Sequence, residues 1–303
     1  MLEWSLAKIH NLSSQNVISF SSETVPVLAV LRKNLLENKN TLIAYSHNLP
    51  KGFDESAIRA IYGYSFETQK VSGPEEIKNF EGSIVYVSNG TLEFNAISHV
   101  DFQLSLLEGL GSILVISEEN KYYVSDIQHV RRRETIAITP SNSLVALNML
   151  LGNSSHNSNP STLANDKASV LESIKEITGT KLEPTVASSG LSMQYAIMMG
   201  LIDHAQEKHP EKPIRFVVPT NCYGGTNDQA RRVAACLQNV EVVDLAVDGD
   251  NDMVQSIDMV LEKIAQEDAI PYIIAEIPTN PRVEVPELQK LKEVLSKKRT
   301  NSS

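Results

Sequence analysis

Ile214-Arg-Phe-Val-Val-Pro-Thr-Asn-Cys-Tyr-Gly-Gly-Thr226 decides the fold. Four of its first five residues are apolar and three of those are β-branched, and turn residues follow, as expected of a short buried strand over 214–218. The glycine pair then marks a loop over 221–226 that leads into a helix from about 228 to 237. Working outward, the same βα alternation recurs on both sides. Upstream, Leu163, Val170, Leu171, Ile174 and Ile177 mark a helix that Ser161 can cap and Gly179 ends, and a second helix runs over about 189–206. Downstream, a strand over 240–247 precedes Met253, Ile257, Val260 and Ile264, which lie at i, i+4, i+7 and i+11 of an amphipathic helix. A strand over 272–276 and a last helix carrying Leu288, Leu291, Val294 and Leu295 complete the series. Strands separated by helices imply a parallel sheet with right-handed crossovers, so the fold class is α/β. Three strands leave an open sheet edge that something else is expected to cover.

The first half of the chain reads as a separate α/β unit. Short apolar runs at 41–45, 84–88, 113–117 and 135–139 suggest buried strands, and Phe102, Leu106 and Leu110 recur at a spacing that suggests a helix. Ser88-Asn89-Gly90 supplies turn residues at the end of one strand. No G-x-G-x-x-G, Walker loop or nucleophile elbow occurs here. Between the halves, Gly152-Asn-Ser-Ser-His-Asn-Ser-Asn-Pro160 carries no apolar side chain with which to offset the cost of ordering, so it reads as a loop, a linker or a segment docked on something else, and the domain boundary is placed here. The expected domains are therefore 1–152, of unknown role, and 153–303.

Composition narrows the function classes. The 303 residues are 42% hydrophobic and 21% charged, a globular balance, with 37 acidic against 27 basic residues and a formal net charge of −10. That field repels phosphate backbones, and the triplet Arg131-Arg132-Arg133 reads as a solvated turn, so no nucleic-acid partner is expected. No apolar run is long enough to cross a membrane, and the N-terminal Met1-Leu-Glu-Trp-Ser lacks the pattern of a secretory signal. Two cysteines, Cys222 and Cys236, read as reduced thiols of a cytoplasmic protein, and the seven histidines show no metal-ligand spacing, so no metal is expected.

Three segments at strand–helix junctions could carry chemistry. Ala187-Ser188-Ser189-Gly190-Leu191-Ser192 opens a helix, where unpaired backbone N–H groups and small residues can cradle a phosphate, or where serine is simply a cap. Asn221-Cys222-Tyr223-Gly224-Gly225-Thr226 offers glycines for close backbone approach and a tyrosine face for stacking, or a plain turn. Ala275-Glu276-Ile277-Pro278-Thr279-Asn280-Pro281 fixes the Asn280 amide between two prolines, whether for a ligand oxygen or as a rigid turn.

In their order and spacing these segments resemble the pyridoxal-phosphate-dependent enzymes of cysteine and methionine metabolism, the cystathionine γ-synthase and β-lyase family with the aspartate aminotransferase fold. The family carries an N-P-T segment, an S-S-G-M loop, a Y-G-G-T loop and an E-T-P-[ST]-N-P loop. Here stand Asn159-Pro160-Ser161, Ser188-Ser189-Gly190-Leu191, Tyr223-Gly224-Gly225-Thr226 and Glu276-Ile277-Pro278-Thr279-Asn280-Pro281. The resemblance covers about residues 154–296. It implies that pyridoxal 5′-phosphate is the cofactor and that Ser189, Gly190 and Leu191 meet its phosphate. Tyr223 would stack on the pyridine ring, and Asn280 would sit near the ring hydroxyl. The implied activity is β- or γ-elimination or replacement on a small sulfur amino acid, in a homo-oligomer or with a partner covering the sheet edge.

The sequence also departs from the family. Ser154 and His156 stand where the family has a tyrosine and an arginine that reach a neighbouring subunit's phosphate, and a neutral imidazole replaces a guanidinium poorly. The family's aspartate for the pyridine nitrogen and its Schiff-base lysine lie beyond the P-T-N-P loop. Lys290, Lys292, Lys297 and Lys298 follow that loop here without the family's motif around them. The expectation is thus a fragment of such an enzyme, truncated before that lysine, with no catalytic residue of its own and inactive alone. Two alternatives stand beside it: a complete non-catalytic binding or regulatory protein that keeps the fold, or an unrelated α/β enzyme taking a phosphate-bearing substrate at Gly190.

Overall fold

The computed structural model describes residues 1–95, 97–153, 160–249, 251–279 and 282–297, with the side chains of 160–163 also left aside. The chain forms two compact units, one of Met1–Glu55 with Tyr64–Met193 and the other of Ser56–Gly63 with Gln194–Ser303. Each is an α/β structure built around its own sheet.

The first unit holds a six-stranded sheet: β1 (Val17–Phe20), β2 (Thr41–Tyr45), β3 (Glu67–Lys70), β4 (Ser83–Asn89), β5 (Phe102–Leu107) and β6 (Gly111–Ile116). They lie in the order β1-β6-β5-β4-β2-β3, all parallel except β6, which runs against both β1 and β5. The helices of this unit are α1 (Leu2–Ile9), α2 (Val25–Leu36), α4 (Val124–Glu134), α5 (Pro140–Leu150) and α6 (Pro160–Thr178). Leu2 and Leu6 of α1 and Ala146 of α5 pack with Val17, Ile113 and Val115 of the sheet. Helix α2 is buried almost throughout, and its Arg32 meets Glu134 at the end of α4 in a two-pronged ion pair with side chains 5% and 3% exposed. Arg32 Nε also donates to the Tyr64 hydroxyl at 3.2 Å, so the guanidinium is held on two sides. The Tyr123 hydroxyl donates to Asn34 Oδ1 at 2.6 Å, and Asn34 Nδ2 donates to Thr41 Oγ1 at 2.7 Å, pinning α2 to β2 through buried polar groups that are satisfied.

Several expectations for this half are corrected. Residues 102–110 form no helix: Phe102, Leu104 and Leu106 lie on β5, which turns back into β6. A spacing of four is even, so it satisfies the two-residue period of a strand as well as a helical face. Residues 135–139 are not a strand and lead from α4 into α5, which Thr139 caps by accepting the Asn142 N–H at 3.2 Å. The arginine triplet is the last turn of α4, where cations favour the helix dipole, and Arg131 Nη1 reaches Glu3 at 2.5 Å.

In the second unit α3 (Glu55–Tyr62) brings Ile61 and Tyr62 against a core that is otherwise C-terminal. A three-stranded parallel sheet of β7 (Ile214–Pro219), β8 (Val240–Leu245) and β9 (Ile270–Ile273) has β7 at its centre. Around it stand α7 (Gly190–Lys208), α8 (Gly224–Ala234), α9 (Met253–Gln266) and α10 (Leu288–Ser296). Met198, Ile202, Phe216 and Ala230 form one core, and Val217, Leu245, Ile257, Ile264 and Val294 another, so β7 points alternate side chains into both. The strand expected over 272–276 is shifted: β9 ends at Ile273, with one further bond from the Ile274 N–H to the Val217 carbonyl at 3.0 Å. The expected cap at Ser161 falls inside α6, on a side chain outside those described. Ser154, His156 and Asn159 lie outside the described residues as well.

Candidate functional site

The Tyr223 segment is a helix start and not the free loop that its glycines suggested. Tyr223 is the residue before α8, with φ −53° and ψ 129°, and Gly224, Gly225 and Thr226 form the first turn. Immediately after β7, at its carboxyl end, the chain thus presents Tyr223 44% exposed above a helix N-terminus. Beside it Asn221 Nδ2 donates to Glu284 Oε2 at 3.2 Å, while the buried Asn221 Oδ1 has no hydrogen-bond partner among the described residues. Burial, and secondarily the charge of Glu276, pushes the Cys222 thiol up from its ordinary pKa, so this cysteine is held as a neutral thiol.

Thr226 joins the elements. It is 2% exposed, and its hydroxyl lies 2.9 Å from Glu276 Oε1 and 3.2 Å from Gln194 Oε1. Gln194 belongs to the first turns of α7, the helix that opens at Gly190. Glu276 belongs to the segment after β9. A buried hydroxyl therefore meets Glu276 of the third segment and, on α7 just past the first, Gln194. Reading along the chain did not reveal Thr226, Gln194 or Glu276 as partners, since they stand far apart in it and their pairing exists only once the strands are aligned.

The serine-rich segment closes on itself. Ser189 Oγ accepts the Ser192 N–H at 3.1 Å, and Ser192 Oγ accepts the Ser189 N–H at 2.8 Å, a reciprocal cap at the start of α7. The Ser188 and Ser192 hydroxyls also meet, at 3.1 Å. Gly190 is exposed, a Cβ added to it would touch nothing within 4 Å, and Leu191 is half-buried. The serine-cap reading of this segment is thus realised.

The third segment is tied by Thr279, which is 4% exposed. Its N–H donates to the Glu284 carbonyl and its hydroxyl accepts the Glu284 N–H, both at 2.9 Å. Asn280 and Pro281 lie outside the described residues.

Taken singly, the half-exposed phenol of Tyr223 offers a flat face, and the start of α7 carries serine hydroxyls. The serine hydrogen bonds described at 188–192 run among serines alone, so an anion there would meet neutral donors and the helix dipole. A cavity of about 850 Å³ lies in the first unit, lined by Asn16, Phe94, Asp101 and Gln103 among others, and none of the residues singled out in the sequence lines it. Among the described residues no cluster of His, Cys, Asp and Glu could hold a metal ion, and no helix is long and apolar enough to cross a membrane.

No protein-family model matches the chain, and no curated protein matches its sequence. Among solved structures, one described as a histidinol-phosphate aminotransferase from Erwinia carotovora atroseptica aligns with 69% of this chain and 86% of its own, at 10% identity and a TM-score of 0.28. That likeness is too distant to bear on fold or function. The class that the sheets themselves define is α/β.

Proposed function

We propose that residues 188–280 are the cofactor-binding part of a pyridoxal-phosphate-dependent enzyme of sulfur amino-acid metabolism, similar to the cystathionine γ-synthase and β-lyase family. The observation that carries the reading is the hydroxyl of Thr226, which meets Gln194 and Glu276 and so links the elements that bear all three family-like segments. In this reading Ser189, Gly190 and Leu191 bind the phosphate at the start of α7. Tyr223 lies flat on the pyridine ring and excludes water from that face, and Asn280 meets the ring hydroxyl. When bound, the cofactor supplies an electron sink for β- or γ-elimination or replacement on a small amino acid. No lysine of this chain is assigned a role: Lys290 pairs with Glu287 at 3.6 Å and Lys297 with Asp258 on the helical layer. The six-stranded sheet and its helices form a compact unit of their own, and a second copy or a partner covers the open edge of the β8-β7-β9 sheet.

Equilibrium dialysis of the chain against pyridoxal 5′-phosphate tests the assignment, with pyridoxal as the ligand lacking the phosphate. Saturable binding is expected, weaker for pyridoxal. Gly190→Val is a suitable probe because a Cβ there meets nothing within 4 Å and Gly190 has no left-handed φ. It should weaken binding about tenfold, or about 1.4 kcal/mol. Borohydride treatment of the complex should leave no stoichiometric adduct at a single lysine. Equal affinity for pyridoxal and for its phosphate, or none for either, would defeat the reading and favour a non-catalytic binding protein.

A further inference from the structure

We propose that Thr226 is the positioning residue of this site, its single hydroxyl proton setting the orientation in which Tyr223 is presented to a flat ligand. The inference rests on the proposed cofactor reading for the identity of the ligand, but not for the tie itself. Tyr223 precedes α8, and Thr226 is its third helical residue, so both belong to one turn: the Thr226 N–H donates to the Tyr223 carbonyl at 2.9 Å. Whatever holds the Thr226 side chain holds that turn. Two acceptors flank its hydroxyl, the Glu276 carboxylate at 2.9 Å and the Gln194 amide oxygen at 3.2 Å, while Gln194 Nε2 reaches back to the Thr226 carbonyl at 3.5 Å. One hydroxyl carries one proton, which goes to the stronger, charged acceptor. The buried threonine therefore fastens the start of α8 to the segment that follows β9, with α7 bracing the opposite side. Neither Gly224 nor Gly225 supplies a side chain to do this. A valine keeps the shape of threonine and removes only the proton, which separates positioning from packing.

The test compares Thr226→Val with Thr226→Ser in the full chain, reading amide hydrogen exchange of peptides covering 221–228 and 274–279 together with dialysis of pyridoxal 5′-phosphate. In Thr226→Val exchange in both peptides should rise about tenfold or more, the scale of one lost hydrogen bond to a charged group, and cofactor affinity should fall by a similar factor. Thr226→Ser, which keeps the hydroxyl, should stay within about twofold of the parent in both. Exchange that rises in the valine variant of a chain that never binds the cofactor supports the tie and overturns the cofactor reading. Unchanged exchange in the valine variant, or equal loss in the serine variant, overturns the positioning role whatever the cofactor does.

Discussion

Tyr223 is the residue on which the proposed chemistry can be most directly probed. Its ring is 44% exposed and its backbone is fixed by α8, so it offers a flat surface at low ordering cost. Tyr223→Phe should keep affinity for pyridoxal 5′-phosphate within about threefold, whereas Tyr223→Ala should lower it about fivefold to tenfold, the range of an aromatic pair. Dialysis distinguishes the two, and equal losses would show that the phenol oxygen and not the face is used. As a candidate face this residue was legible in the sequence because a tyrosine before two glycines is a local pattern. Its surroundings were not. The Thr226–Glu276 hydrogen bond spans 50 positions, and a lone glutamate after a strand carries no sign of its partner. Asn280 keeps its assignment on sequence grounds alone.

At the scale of elements, regular βα alternation after 188 was readable because apolar spacing, caps and glycines agreed with one another. Helix α9 shows this: Met253, Ile257 and Ile264 are buried as their period requires, and Asp252 caps it through the Gln255 N–H at 2.9 Å. The first unit was less legible. Strand β3, Glu-Thr-Gln-Lys, has no apolar residue, and it pairs only with β2 at the rim of the sheet. Strand β5 alternates, yet its leucines and phenylalanine also match a helical stripe. What binds α2 to α4 is equally hidden, since Arg32 and Glu134 stand 102 positions apart. Glu134→Gln would leave a guanidinium buried against a neutral amide. It should cost about 3–5 kcal/mol in urea unfolding, while the double change Arg32→Met with Glu134→Leu should cost far less. A loss below about 1 kcal/mol for the single change would show that Tyr64 and water suffice for Arg32.

For the whole molecule, the two units carry separate cores but share a response to alkali. Burial pushes the Tyr123 phenol of the first unit well above its usual pKa, and burial raises Tyr272 of the second as well. A folded-state pKa above the unfolded value means stability that is complete below pH about 10 and lost as pH rises past it. The urea midpoint should therefore be insensitive to these tyrosines near neutrality and fall above pH about 10. Tyr123→Phe should cost about 1 kcal/mol at neutral pH by deleting the bond to Asn34, and should blunt the alkaline fall. Strength is unevenly shared along the chain. Helix α2 is buried over most of its length, but from 164 to 178 in α6 no residue is buried, and Val170 and Ile177 stand 50% and 85% exposed. Most of a helix's stability comes from packing an apolar face, and residues 164–178 bury none. Trypsin should therefore cut after Lys167 well before any bond in α2, parting the chain into pieces of 167 and 136 residues, each keeping most of one sheet-bearing half.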